Sequence, residues 1–368
     1  RVTSDPILLL YGEDGTATLR QALTLAGRAS GSRAADVPPR GWCSWYHLGL
    51  AVTDADIRRH AAFIATKLPQ LARSLPRPHR PVIQLDDGWM PRWQRWGDWV
   101  PNEAFAEGFP AMVSAVRRRR LRAGIWLAPF LVAADSQLAA DHPDWRLHRE
   151  DGEPLVDPRL ERHYHVLDVT HPAAADHLTA VFSGLRRDGF TYFKIDFLYA
   201  GAYEGRRHDG TSTGTEALRL GLQRIYDAVN PPGSAEKAFI VACGAPLLPI
   251  VGLVHGARIG GDVGAPQMQD GKAAPPQVGF PLILSMARNT AARNFFDRTL
   301  FTNDADVVMV ASPQLTLDEA RVMVTVAALS GGIFLLSDDL ETLPAERLAL
   351  LRNANLLELA GGPAAEPL

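Results

Sequence analysis

Tyr192-Phe-Lys-Ile-Asp-Phe197 (YFKIDF) is an apolar run carrying one lysine and one aspartate two residues apart. Its aromatic and β-branched content reads as a strand. In an extended chain every second side chain shares a face, so Lys194 and Asp196 point one way and Ile195 and Phe197 point toward covering helices. Helical patterns flank it, from about Pro172 to Arg187 before and from Thr215 to Val229 after. A buried strand between two amphipathic helices is the unit of a parallel sheet.

The same pattern extends in both directions. Upstream lie the strands Gly41–Tyr46 (GWCSWY), Pro81–Asp86 (PVIQLD) and Ala123–Pro129 (AGIWLAP). A helix opened by a Thr53 cap follows the first, and one over Phe109–Arg122 follows the second. Downstream lie Ala238–Cys243, Ala257–Gly260, Leu300–Asn303 and Ile333–Leu336, with helices over Phe280–Phe296, from Thr316 and from Pro344. Eight strands, each followed by a helical pattern, predict an α/β fold of the (β/α)8 TIM-barrel class. The barrel is expected over residues 39–360, with 1–38 a lead-in or linker remnant and 361–368 a tail. A lead-in helix is expected over Gly15–Ala29, and the polar stretch Ala133–His165 reads as an insertion over one face.

Composition narrows the function. A hydrophobic fraction of 46% supports a sizeable core, and a formal charge of −3 argues against nucleic acid as a partner. The run Arg117–Arg120 reads as a solvated helix end. No apolar run is long enough to span a membrane, and the two cysteines, Cys43 and Cys243, predict no disulfide scaffold. A cytoplasmic setting is the expectation, and the chain opens on Arg1 with no basic-then-apolar leader.

Catalytic groups of such a barrel belong at the C-terminal strand ends. There the sequence places Asp86-Asp87, Lys194 and Asp196, Cys243, Asp262, Asn303-Asp304 with Asp306, and Ser337-Asp338-Asp339. Seven tryptophans, among them Trp45, Trp93 and Trp126, fall between Trp42 and Trp126, and about half are expected in the core. Aromatic rings beside acids suit a pyranose, whose apolar face packs on an indole while carboxylates take its hydroxyls. Lys194 beside Asp196 would favour the ionised carboxylate a nucleophile needs; a buried ion bridge is the plainer alternative. Arg258 and Asp262, four apart around Gly260-Gly261, form either an acid/base site or a turn with a solvated acid. An anionic Asp196 nearby would raise the proton affinity of Asp262. Asp86-Asp87 fits a hydroxyl-binding pair, a metal site or a turn, the first being favoured. Cys243 has no adjacent base and reads as a small pocket residue. The histidines show no zinc-type spacing, and no metal or organic cofactor is expected.

Together the motifs GWCSWY (41–46), QLDDGW (84–89), GIWLAPF (124–130), YFKIDF (192–197), CGAP (243–246) and RIGGD (258–262) resemble glycoside hydrolase family 36. The stretch Asp135–Trp145, LDVTHP (167–172) and NDAD (303–306) fit it too. That family holds bacterial α-galactosidases and plant raffinose-type transglycosylases. The resemblance implies a retaining glycoside hydrolase that removes terminal α-galactosyl residues from small oligosaccharides. It implies Asp196 as nucleophile and Asp262 as acid/base, with Asp86 and Asp87 on the galactose hydroxyls. Lys194, Arg258, Cys243 and Trp126 would line the sugar subsite, with Trp45 and Tyr46 at its edge. It leaves open an α-N-acetylgalactosaminidase, an α-galactosyl transferase or an inactive sugar-binding barrel, and also homo-oligomer formation. A metal-dependent barrel using Asp86, Asp87, Asp196 and Asp262 is a rival from outside the family. Members usually carry a β-sandwich domain before the barrel and a smaller one after it. With room for neither, this chain is expected to be a trimmed piece or a reduced variant.

Overall fold

The computed structural model describes residues 9–91, 94–160, 163–269 and 272–366. Eight parallel strands form one sheet: β1 Arg40–Cys43, β2 Val82–Leu85, β3 Arg122–Leu127, β4 Tyr192–Ile195, β5 Phe239–Ala242, β6 Gly256–Arg258, β7 Thr302–Asp304 and β8 Phe334–Leu336. Spatial order follows chain order from β1 to β7, and β8 pairs with β1. The sheet closes by parallel bridges from Asp304 to Ile333 and from Val308 to Leu336. Ile333 N donates to Asn303 O at 2.8 Å and Val308 N to Leu335 O at 2.7 Å. The (β/α)8 expectation holds, and each expected strand falls on an observed one.

Local chemistry explains most of the shell. Helix α1 (Asp54–Lys67) opens on a capping box between Thr53 and Asp56, as the Thr53 cap predicts. Helices α2 (Phe109–Arg118) and α3 (Pro172–Asp188) follow β2 and the inserted segment after β3. Both carry proline in the first turn, where its missing N–H costs nothing. Thr213–Glu216 and Thr316–Glu319 form the same box at α4 (Gly214–Val229) and α6 (Leu317–Leu329). Helix α5 (Phe280–Ala292) precedes β7, and α7 (Ala345–Leu351) with α8 (Ala354–Leu359) close the described chain. Arg117–Arg120 are exposed at the end of α2, as read.

The structure departs from the sequence reading at three places. No helix follows β5. Pro246 and Pro249 interrupt that segment, and Gly252 takes a φ of 83°. The chain N-terminal to β1 packs there instead: Arg33 Nε donates to Gly252 O at 2.6 Å, and its guanidinium lies 3.9 Å from the Tyr226 ring centre. The helix Gly15–Ala29 forms as read and packs beside Asn294–Phe296, with Arg20 over the Phe295 ring. The second is an antiparallel hairpin, Gly264–Gln269 with Lys272–Val278, between β6 and α5, where sequence reading placed no element. Pro275 and Pro276 hide it from strand reading, because proline is confined to edges and bulges; the register does shift between Ala274 and Gln277. Third, Phe197 does not face the helices. The strand ends at Ile195, Phe197 turns to φ 52°, and its ring lies 4.9 Å from that of Trp96. The 133–165 insertion is anchored by a hairpin of Leu131–Ala133 with Tyr164–Val166.

Gly41 shows how tightly the strands close. A Cβ there would lie 1.9 Å from Val82 O on β2. Gly41→Ala is therefore expected to lower unfolding stability by about 3 kcal/mol or more, read by urea denaturation.

Candidate active site

The strand ends bring the expected acids to one rim. Asp86 follows β2 and is buried; its Oδ2 accepts from Gln84 Nε2 at 2.5 Å and pairs with Lys194 Nζ at 3.1 Å. Cys43 Sγ lies 3.3 Å from the same oxygen, and the backbone N–H of Asp86 donates to Ser44 Oγ at 2.9 Å. Lys194 thus neutralises Asp86, and among the described residues its ion pair is with that acid and not with Asp196. The lysine reaches from β4 to the end of β2.

Asp196 stands one residue beyond β4, half-buried. Its Oδ2 accepts from Trp126 Nε1 at 3.1 Å and its Oδ1 from the Phe197 amide at 2.7 Å. These donors fix the carboxylate without neutralising it. Trp126 lies on β3 opposite Lys194 in register and is itself set by Trp89, whose Nε1 donates to Trp126 O at 3.0 Å. The position a Cβ on Gly244 would take is 3.5 Å from Asp196 Oδ1, so the turn after β5 comes close to this carboxylate.

Cys243 lies between the two halves of the rim. Burial first, and then the charge of Asp196, push its thiol well above the ordinary range, and Asp262 acts in the same sense. One thiol therefore feels both acids, and it stays protonated, in keeping with the sequence reading of a small pocket residue.

Arg258, at the end of β6, is the electrostatic centre of the far half. It is buried and meets three carboxylates: Asp304 at 3.1 Å, Asp306 at 2.8 Å and Asp262 at 2.9 Å. Asp262 is the exposed member, with 55% of its side chain accessible. The four-residue spacing does place Arg258 and Asp262 together, as an ion pair. Asp306 has a φ of 83° and accepts from Tyr46 Oη at 2.5 Å and from the Val263 amide at 2.9 Å. Its carboxyl is pushed up to about 6, by burial first and by Asp262 and Asp304, against the pull of Arg258. Sequence reading noticed Asp304 and Asp306 at a strand end but assigned them no role; the NDAD motif was the signal. Tyr46 is buried and committed to Asp306, whereas Trp45 is half-buried.

Asp87 is buried beside Asp86, and its Oδ1 accepts from the Gly88 amide at 2.8 Å. Burial, then the Asp86 charge, push its carboxyl up to about 7. A folded pKa above the unfolded value of about 3.9 means that this group's stability contribution is complete below about pH 4 and is lost as pH rises through 7. Asp87→Asn is expected to flatten the fall in melting temperature between pH 4 and 7.5. Identical slopes in the two proteins would contradict it.

Of the eight tryptophans, Trp42, Trp89, Trp96, Trp126 and Trp145 are buried, and Trp45 and Trp99 are half-buried. Trp93 lies outside the described residues. A hollow of about 290 Å³ opens beside Gly244, Arg258 and Gly260. Two larger hollows, of about 700 and 680 Å³, lie against the N-terminal strand ends near Pro81 and Arg40 and hold none of these acids.

A closed parallel barrel with acids at its C-terminal strand ends is the architecture of a barrel glycoside hydrolase. Residues 63–232 match the melibiase family model. α-Galactosidase 2 of Pediococcus pentosaceus is 31% identical over 121 residues, which are 31% of this chain and 16% of that protein. α-Galactosidase AgaA of Geobacillus stearothermophilus is 28% identical over 186 residues, 45% of this chain and 24% of that protein. TtGalA, an α-galactosidase from Thermus thermophilus solved with p-nitrophenyl α-D-galactopyranoside, superposes with a TM-score of 0.73 at 28% identity. That match covers 92% of this chain and 65% of TtGalA. The AgaA structure, described as a GH36 α-galactosidase, superposes with a TM-score of 0.64 at 18% identity over 93% of this chain and 45% of that one. The family read from the motifs is the one these comparisons return, and the chain is similar to melibiase-family proteins over residues 63–232. The chain spans less than a quarter of either curated relative in these alignments.

Proposed function

We propose that this chain is the catalytic barrel of a retaining α-galactosidase acting on small oligosaccharides. The observation that carries the reading is the pair Asp196 and Asp262 at one rim, both acting on Cys243, with Asp196 held by Trp126 and, among the described residues, without a paired cation. Asp196 attacks the anomeric carbon while Asp262 protonates the leaving oxygen. A covalent galactosyl-enzyme forms through an oxocarbenium-like transition state. Asp262 then takes a proton from water, which attacks the same carbon and releases galactose with retained configuration. Asp262 is paired with Arg258 and is the exposed acid of the rim, open to a leaving oxygen, which supports the acid role.

Asp86, Asp87, Lys194, Trp126 and Cys243 line the galactose subsite, with Arg258, Trp45 and Tyr46 on its far wall. The Lys194–Asp86 pair presents a fixed donor and acceptor to sugar hydroxyls. No helix among the described residues is long and apolar enough to cross a membrane. The two buried free cysteines suit a reducing, cytoplasmic compartment.

Hydrolysis of p-nitrophenyl α-galactoside, beside the α-glucoside and the α-N-acetylgalactosaminide, tests the reading. Release from the α-galactoside alone, with α-galactose as the first anomer seen by NMR, is the expected result. Release from the N-acetylated sugar alone would move the specificity, and binding of galactose without any turnover would leave a sugar-binding barrel.

A further inference from the structure

Behind the wall that carries Trp45 and Tyr46, three side chains from separate elements converge. His47 lies on the short helix Trp45–Leu48, His60 in the middle of α1, and Asp339 just beyond β8. Their ligand atoms lie within 4.8 Å of one another. His47 Nε2 is 3.8 Å from Asp339 Oδ1. The two imidazole rings are 5.3 Å apart and nearly perpendicular, at 82°.

His60 is fully buried and stacks on Trp42 at 4.1 Å, yet among the described residues neither of its ring nitrogens has a hydrogen-bond partner. Nor does His47 Nε2. Orphaned buried polar atoms are rare because each forfeits its hydration, and here they occur together beside a carboxylate. The neighbouring charges are matched elsewhere: Arg59 pairs with Asp56 at 2.7 Å and with Glu341 at 3.0 Å. Burial disfavours the charged form of both rings, so each presents a lone pair.

We propose that His47, His60 and Asp339 bind a divalent transition cation, zinc being the best match to two imidazoles and one carboxylate. Water would complete the tetrahedron. Around such an ion, with bonds of about 2.0–2.1 Å, ligand atoms lie about 3.3–3.4 Å apart. The His47–Asp339 separation therefore closes with a shift of a few tenths of an ångström. The ion would tie the loop after β1, helix α1 and the loop after β8 into one unit. That unit adjoins Ser337, whose Oγ accepts from the Tyr46 amide at 3.1 Å and donates to Cys43 O at 2.7 Å. The site touches none of the reacting carboxylates, so its role is to hold the rim. It departs from the metal-free expectation, which rested on spacing along one helix.

The test is titration of chelator-stripped full chain with Zn²⁺ by calorimetry and with Co²⁺ by visible absorption. One ion per chain, d–d bands of tetrahedral intensity and a melting temperature raised by about 2–5 °C are expected. Asp339→Asn and His47→Gln, both at partly exposed positions, should weaken binding at least about tenfold and remove the bands. His60→Phe keeps the stack on Trp42 and should abolish binding. Absence of saturable Zn²⁺ binding would overturn the proposal. So would unchanged affinity in both Asp339→Asn and His47→Gln, which would place the ion on other acids.

Discussion

Asp196→Ala is expected to lower turnover of an aryl α-galactoside by at least about a thousandfold, because the first displacement loses its nucleophile. The fold should persist. The side chain is half-buried and, among the described residues, accepts two hydrogen bonds, from Trp126 Nε1 and the Phe197 amide. Leaving Trp126 Nε1 without its acceptor costs about 1–3 kcal/mol, which a barrel of this size tolerates. Near-native far-UV dichroism and melting should therefore accompany the lost rate. Asp196→Asn is the isosteric control: it keeps an acceptor for Trp126 and should be as inactive. Azide gives a sharper outcome, since a small anion entering the vacated space attacks the same face and yields the β-galactosyl azide. Wild-type-like turnover in Asp196→Ala, or failure of azide to yield that product while the fold is intact, would remove Asp196 from the nucleophile's role.

The largest effect on stability is expected from Arg258. Arg258→Met removes a cation whose nitrogens contact Asp262, Asp304 and Asp306, two of which are buried. Breaking a buried ion cluster from one side costs about 3–5 kcal/mol, because the remaining carboxylates keep their desolvation penalty without the attraction. Urea unfolding at pH 7 measures it. Arg258→Lys should recover only part, since one ammonium cannot match three acids as a planar fork does. The pH dependence has a fixed sign. Arg258 is the main group that lowers the Asp306 carboxyl, with Lys194 acting in the same sense, and that carboxyl already stands at about 6. Removing it raises that value further, so the proton on Asp306 stabilises the variant at low pH and is lost as pH rises. The deficit against wild type should be smallest near pH 4 and largest at neutral pH. A deficit that grows on acidification would mean that Arg258 acts mainly through packing.

These two residues mark how far the sequence could be read. Asp196 was legible because a single strand sufficed: period-two alternation put it beside Lys194 at a strand end. Arg258 and Asp262 were legible as a pair because only four residues separate them. The partners across the barrel were not. Lys194 goes to Asp86 just after β2, and Arg258 takes Asp304 at the end of β7 and Asp306 just beyond it, none of which local spacing encodes. The hairpin after Asp262 escaped because its prolines argue against a strand when read locally. The missing helix after β5 escaped because the chain that packs in its place comes from before β1.

By itself the sequence determined the (β/α)8 class, the positions of the eight strands and the rim on which the acids gather. Those depend on hydrophobic period, caps and strand ends, all of which act within about a dozen residues. Only the tertiary structure decided which charges are paired, which tyrosine is committed to Asp306, and that His47, His60 and Asp339 meet. Those outcomes depend on distances across a closed barrel, where residues hundreds apart in the chain become nearest neighbours and burial makes each pairing energetically decisive.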